Sequence, residues 1–278
     1  MQPGPTEKMV LYRIRFVAQA QSGETVLLEL KDPYTCRAVL VAVGVETAIP
    51  KPSFPKPDEL EILAIACKPM DLSENELGNV ESWVKSASNG EKTLISLRVE
   101  EAQVLWSPGK AVFYAPSNRV SPMLTALTEF AFYEGELSKL EGEIAAGWPE
   151  AETDAPLAYE VTRHHLPRHK LLAERSFRVL QWRMRHVRVE PHLHGPAPQL
   201  SELGRKLGER LRRETGVEDR LEFLDGKIES CEYIYEMVSQ RMGEYQNFHR
   251  EFLLELLIVL LLGAEAIVLV VELFIIRR

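Results

Sequence analysis

The chain has 278 residues, 45% of them hydrophobic and 27% charged, with a formal net charge of −8. This length and composition fit one or two ordinary domains with real cores and exclude a disordered or fibrous chain. The negative balance argues against a surface that attracts nucleic acid or anionic lipid on average, so specific DNA binding is not expected.

The N-terminus, Met1-Gln2-Pro3-Gly4-Pro5, has neither the apolar core of a signal peptide nor the Arg- and Ser-rich amphipathic character of a transit peptide. Any targeting is therefore expected at the C-terminal end. Residues 1–118 read as an α+β domain. Strands are predicted over 10–17 and 26–30, then over 36–45, where the run VLVAVGV suggests a buried strand. A proline-rich loop at 50–57 precedes an alternating segment, 59–67. Ser73-Glu74-Asn75-Glu76 forms a capping box for a helix to about Ser88, and Asn89-Gly90 marks a turn. Strands over 93–99 and 111–115 follow. Cys36, Cys67 and Cys231 lie far apart with no metal spacing and read as reduced or buried thiols.

Residues 119–199 read as a helical region. Ser121-Pro122 is a helix start, N-cap followed by proline, for a helix to about Ala146. A linker over 148–156 separates it from a second helix, 167–187, and another proline-rich linker covers 190–199. The second helix carries an apolar stripe, Ala173, Phe177, Leu180, Met184 and Val187. Opposite lie Arg168, Arg175, Arg178 and Arg185, with Trp182 among them. This basic face is a candidate surface for phosphates of RNA or lipid headgroups. The competing reading is internal: residues 129–154 are rich in Glu and Asp, so the preceding helix is able to pair with the basic one.

Residues 200–251 read as a coiled-coil stalk. After a helix over 200–213, apolar positions recur at Val217, Leu221, Leu224, Ile228, Cys231, Tyr235, Val238, Met242 and Tyr245, in alternating steps of four and three. This heptad seam predicts self-association, the alternative being a hairpin with the helix over 200–213. Residues 252–276, FLLELLIVLLLGAEAIVLVVELFII, read as one transmembrane helix, long enough at ~1.5 Å per residue to span a core of ~30 Å. Glu255, Glu265 and Glu272 interrupt it. Glu265 falls at the centre, where an acid costs roughly 2.5–3.5 kcal/mol. Gly263, Ala264 and Ala266 beside it suit close helix approach, so a homo-oligomeric bundle with Glu265 inward is expected. A protonated Glu265 facing lipid is the alternative.

No Gly-rich phosphate loop, nucleophile elbow or zinc-protease motif occurs. His165 and His169 are four apart but lack a carboxylate or cysteine partner at metal spacing. Glu134 and Glu136, in a charge-dense helix, read as solvated. No catalytic residues, cofactor or metal site are predicted.

The C-terminal end resembles the family of the "required for meiotic nuclear division 1" proteins over 217–276. The residues that carry this are His249-Arg250-Glu251-Phe252-Leu253-Leu254-Glu255, the apolar run, and Glu265 ten residues later. Ser121 to Glu134 (SPMLTALTEFAFYE) looks like the family's central helix, and the strand ending at Gly44 is similar to one of its strands. The resemblance implies an α/β domain and a helical region, anchored by the tail and self-assembled. It also implies a role like that of the mitochondrial members, which sit in the inner membrane facing the matrix and support organellar translation by holding ribosomes or transcripts near the membrane.

The expected protein is thus an α+β domain followed by helices and one membrane helix, with its N-terminal domain on the cytoplasmic side of a bacterial inner membrane. The mitochondrial inner membrane is the alternative. The expected function is a non-enzymatic, oligomeric, tail-anchored scaffold that tethers ribosome, RNA or other partners. Two alternatives stand beside it: a membrane-active oligomer whose Glu265 ring binds a cation or proton, and an enzyme whose site in the α+β domain has no recognisable motif.

Overall fold

The computed structural model describes residues 9–46, 48–51, 55, 56, 58–66, 74–87 and 94–276, with side chains through 267. The chain forms two compact units. One comprises Met1–Glu143 with Arg183–Asp225, and the other Ile144–Trp182 with Gly226–Arg278.

The first unit is built on a seven-stranded sheet. Its strands are β1 (Met9–Val17), β2 (Thr25–Leu30), β3 (Cys36–Glu46), β4 (Glu59–Ile65), β5 (Ile95–Val99), β6 (Ala102–Ser107) and β7 (Lys110–Tyr114). Their spatial order is β2-β3-β1-β4-β7-β6-β5. Every neighbouring pair is antiparallel except β4 and β7, which run parallel. A parallel pair needs a crossover, and the segment between β4 and β7 supplies it. That segment holds helix α1 (Glu74–Lys85) and the β5–β6 hairpin.

Alternation along the strands sends side chains to two cores. On one face Met9, Leu11, Leu63, Ile65, Leu105, Val112 and Tyr114 pack against Val80, Trp83 and Val84 of α1. The other face meets helix α2 (Val120–Asp154), where Phe132 lies 5.4 Å from Phe16 and Phe130 lies 5.3 Å from Trp106 between ring centroids. Strand β6 was not anticipated. It enters through a two-residue turn in which Glu100 adopts φ 53°, and leaves through Pro108-Gly109, with Gly109 at φ 86°. A Cβ on Gly109 would stand 2.8 Å from Pro55, so that turn requires glycine for room as well as for conformation. Cys67, Ser73, Asn89 and Gly90, and with them the predicted capping box and turn, lie outside the described residues.

The remaining helices are α3 (His169–His194), α4 (Glu202–Glu214) and α5 (Val217–Ile276). Ser201 caps α4, its hydroxyl accepting the Gly204 amide at 3.1 Å. Three boundaries differ from the sequence expectation. Helix α2 begins at Val120, before Ser121. It also continues through Pro149 to Asp154, where a linker was expected, and α3 passes Pro191 to His194. Helix α5 is continuous over 60 residues. Among the described residues, no helix is long and apolar enough to cross a membrane. The expected span, 252–276, runs past the last described side chain, so Glu272 lies outside the description.

The first unit also buries Glu129 of α2, 2% exposed, whose Oε1 accepts the Ala197 amide at 3.1 Å. Burial pushes its carboxyl pKa up, against the lowering effect of the Arg212 charge and of the Ala197 bond. A carboxyl whose folded pKa lies above its unfolded value is more easily protonated in the fold, so its contribution to stability falls as pH rises above the ordinary 4.5. Replacing Glu129 with Gln removes that decline. Chemical denaturation from pH 4.5 upward should give the variant a flatter stability curve than wild type. Parallel curves would contradict the assignment.

Candidate functional site

The predicted basic surface is organised around one carboxylate in the second unit. Asp154, the last residue of α2, is 0% exposed. A charge without water must be paired by charged or hydrogen-bonding neighbours. Arg168 Nη2 donates to Asp154 Oδ1 at 2.7 Å, and Arg175 Nη1 donates to Oδ2 at 2.5 Å. The Tyr235 hydroxyl of α5 donates to the same Oδ2 at 3.4 Å. One helical turn earlier, Glu150 accepts Arg178 Nη2 at 2.6 Å and lies 3.3 Å from Arg175 Nε. Burial alone works to lower the Arg175 pKa, but the hydrogen bond and charge of Asp154 outweigh it and the pKa rises. Burial and the Asp154 charge together push the Tyr235 hydroxyl up, keeping it a donor.

Arg185 is also held by a carboxylate, its Nη1 donating to Glu143 of the first unit at 2.7 Å. Trp182, placed among these arginines in the sequence reading, is buried with its ring against Gly147, where a Cβ would stand 2.4 Å from Cη2. The structure therefore brings Arg168, Arg175 and Arg178 together on internal acids. The guanidinium groups of all four arginines are engaged by carboxylates of α2, the internal pairing that the sequence also allowed. The acidic run of α2 supplies those partners, and of the four only Arg175 is largely covered. Phe177, Leu180, Met184 and Val187, the apolar stripe of the sequence reading, are left 60%, 49%, 50% and 54% exposed.

The α5 seam is likewise satisfied inside one chain. Leu221, Leu224, Ile228, Cys231, Tyr235, Val238 and Met242 are all buried, and Tyr245 is half-buried. The heptads expected to face another copy face this chain's own side chains, because α2 and α3 supply the apolar and polar partners. Beyond the seam the pattern changes. From Phe252 to Leu262 every apolar side chain is exposed on all sides of the helix, and Glu255 and Glu265 are exposed among them.

The first unit holds a cleft of about 430 Å³ lined by Phe16, Tyr34, Cys36, Asp58, Glu136 and Lys139, among others. Glu136, 2% exposed, accepts the Tyr34 hydroxyl and Lys139 Nζ, each at 3.0 Å, and Lys139 also reaches Asp58 at 3.2 Å. Glu134 accepts the Ser138 hydroxyl at 3.0 Å and Arg220 at 3.3 Å. Both glutamates are buried rather than solvated, compensated by Arg220 of α5 for Glu134 and by Lys139 one turn along α2 for Glu136. Burial and the Glu136 charge push the Tyr34 hydroxyl up to about 12, and the same two causes push the Cys36 thiol up. A protonated thiol is a poor nucleophile. The charged groups of the cleft neutralise one another, which is the arrangement of a structural network rather than of a poised acid–base pair. Among the described residues no group of three His, Cys, Asp or Glu side chains is placed to hold a metal ion. Sequence reasoning missed Asp154 and Tyr34. The only hint of Asp154 is its i,i+4 spacing from Glu150, and Tyr34 carries no local signal.

No protein-family model matches the chain, and no curated protein sequence matches it.

Removing the carboxylate tests its role. Asp154→Ala leaves Arg168 and Arg175 without their shared partner and is expected to cost about 3–5 kcal/mol. Tyr235→Phe, losing one long hydrogen bond, costs about 1 kcal/mol. Denaturant titration of the full chain reads both. An Asp154→Ala variant as stable as wild type would contradict this account.

Proposed function

We propose that this chain is a non-enzymatic membrane scaffold. It is anchored by residues 252–276 and self-associated, and it holds its α+β domain at the cytoplasmic face of a bacterial inner membrane. The end of α5 carries the proposal. A helix that is apolar on every side belongs in a protein core or in lipid, yet Leu256 to Leu262 lie between 46% and 64% exposed among the described residues. Each Leu, Ile, Val or Phe contributes roughly −0.3 to −0.6 kcal/mol to insertion, so a full span outweighs one central acid. The paired acids and cations of the first unit fit a rigid adaptor better than an active site. Likeness to the "required for meiotic nuclear division 1" family adds ribosomes or transcripts as the proposed cargo. The arginines of α3, already held by carboxylates, are not proposed as its contact.

Alkaline carbonate extraction of cell membranes tests the anchor. Wild type is expected to stay in the pellet. A Leu257→Glu, Leu261→Glu double variant adds two acids at about 2.5–3.5 kcal/mol each and is expected in the supernatant, with the melting temperature of the soluble region unchanged. Wild type released by carbonate would overturn the proposal.

A further inference from the structure

Helix α3 carries two heptad faces. One, Leu172, Val179, Trp182, His186, Val189 and Leu193, is buried. The other, Ala173, Phe177, Leu180, Met184 and Val187, advances in steps of four and three and is exposed throughout. Its four large members form a continuous apolar stripe because residues so spaced share one side of a helix. Alongside its N-terminal half runs an apolar groove of about 300 Å³, lined by Leu172, Phe177 and Leu180 of α3 and by Tyr235, Val238 and Met242 of α5. A soluble surface seldom leaves such a stripe uncovered.

We infer that a second copy of this chain covers it, α3 lying antiparallel against α3 about a two-fold axis. This rests on the self-association in the proposed function and names its interface. A two-fold contact must be self-complementary, and the stripe is. With 173, 180 and 187 as d positions and 177 and 184 as a positions, antiparallel packing sets Phe177 against the partner's Val187 and Leu180 against the partner's Met184. A large side chain thus meets a smaller one at each end. The flanking charges select the same direction. Antiparallel packing places Glu174 beside the partner's Arg188, twice by symmetry, and both residues are exposed. Near the two-fold axis Arg183 is already neutralised by Asp225 of its own chain. Arg188 spends one N–H on the Pro33 carbonyl at 3.0 Å and keeps the rest of its fork. A membrane surface would favour cations along both flanks, whereas Glu174 and Gln181 line one of them.

The full chain in mild detergent tests this by sedimentation mass. Wild type is expected to associate. Leu180→Glu with Met184→Glu is expected to halve the mass while membrane retention under carbonate is unchanged. Glu174→Arg is expected to weaken association about fivefold, and adding Arg188→Glu to restore it. This charge swap keeps the test decisive if the double-glutamate variant unfolds. On oxidation, Phe177→Cys with Val187→Cys should form a covalent dimer, and Phe177→Cys alone should not. A monomeric wild type, a mass unaffected by both the glutamate and the Glu174→Arg substitutions, or a covalent dimer from Phe177→Cys alone would each overturn the inference. Loss of membrane retention in wild type with the association intact would fail the anchoring proposal and leave this interface standing.

Discussion

Asp154 has no access to water, and its charge must be met by the fold. Two arginines of α3 and one tyrosine of α5 meet it, so three helices converge on a single carboxylate in the second unit. A buried ion group of this kind is weak as net stabilisation, because desolvation offsets much of the attraction. Its effect is on specificity: only one rotation of α3 brings Arg168 and Arg175 to Asp154 while Arg178 reaches Glu150. That rotation fixes which side of α3 is inside and which is left facing water.

The consequences run in two directions. Inward, Trp182 comes against Gly147, and the α5 seam around Tyr235 is closed by side chains of the same chain. Outward, Phe177, Leu180, Met184 and Val187 stand exposed. The apolar face left for an interface between copies, as proposed, is therefore on α3 and not on α5. Between Phe252 and Leu262 α5 leaves its apolar side chains uncovered on every side, the pattern that carries the proposed anchor.

Much of the sheet was legible because alternation and short apolar runs are local properties, as in β1 and β4 for the first and β7 for the second. Strand β6 was not, because its entry turn uses Glu100 in a left-handed conformation where glycine or asparagine would have announced it. The prolines misled in the opposite sense. Pro149 and Pro191 read as breaks, yet α2 and α3 continue through them, with Asp154 paired beyond Pro149 and His192 beyond Pro191 stacked on Tyr133 at 4.3 Å. Helix α3 was ambiguous in principle. It carries two apolar faces at heptad spacing, and the choice between them is made by carboxylates on α2, some tens of residues away in sequence. Glu134 and Glu136 illustrate the same limit, since their partners Arg220 and Tyr34 come from distant segments.

The central claim is that the α5 seam is closed within one chain. Cys231 sits on that seam, 1% exposed, and its thiol is a native reporter. Its modification by a thiol reagent, followed by peptide mass spectrometry on the folded full chain across a wide dilution series, tests the claim directly. Intramolecular closure predicts that Cys231 stays protected at every protein concentration, including those at which the chain is monomeric. A Cys231 that becomes reactive on dilution would show that another copy, and not this chain, covers the seam.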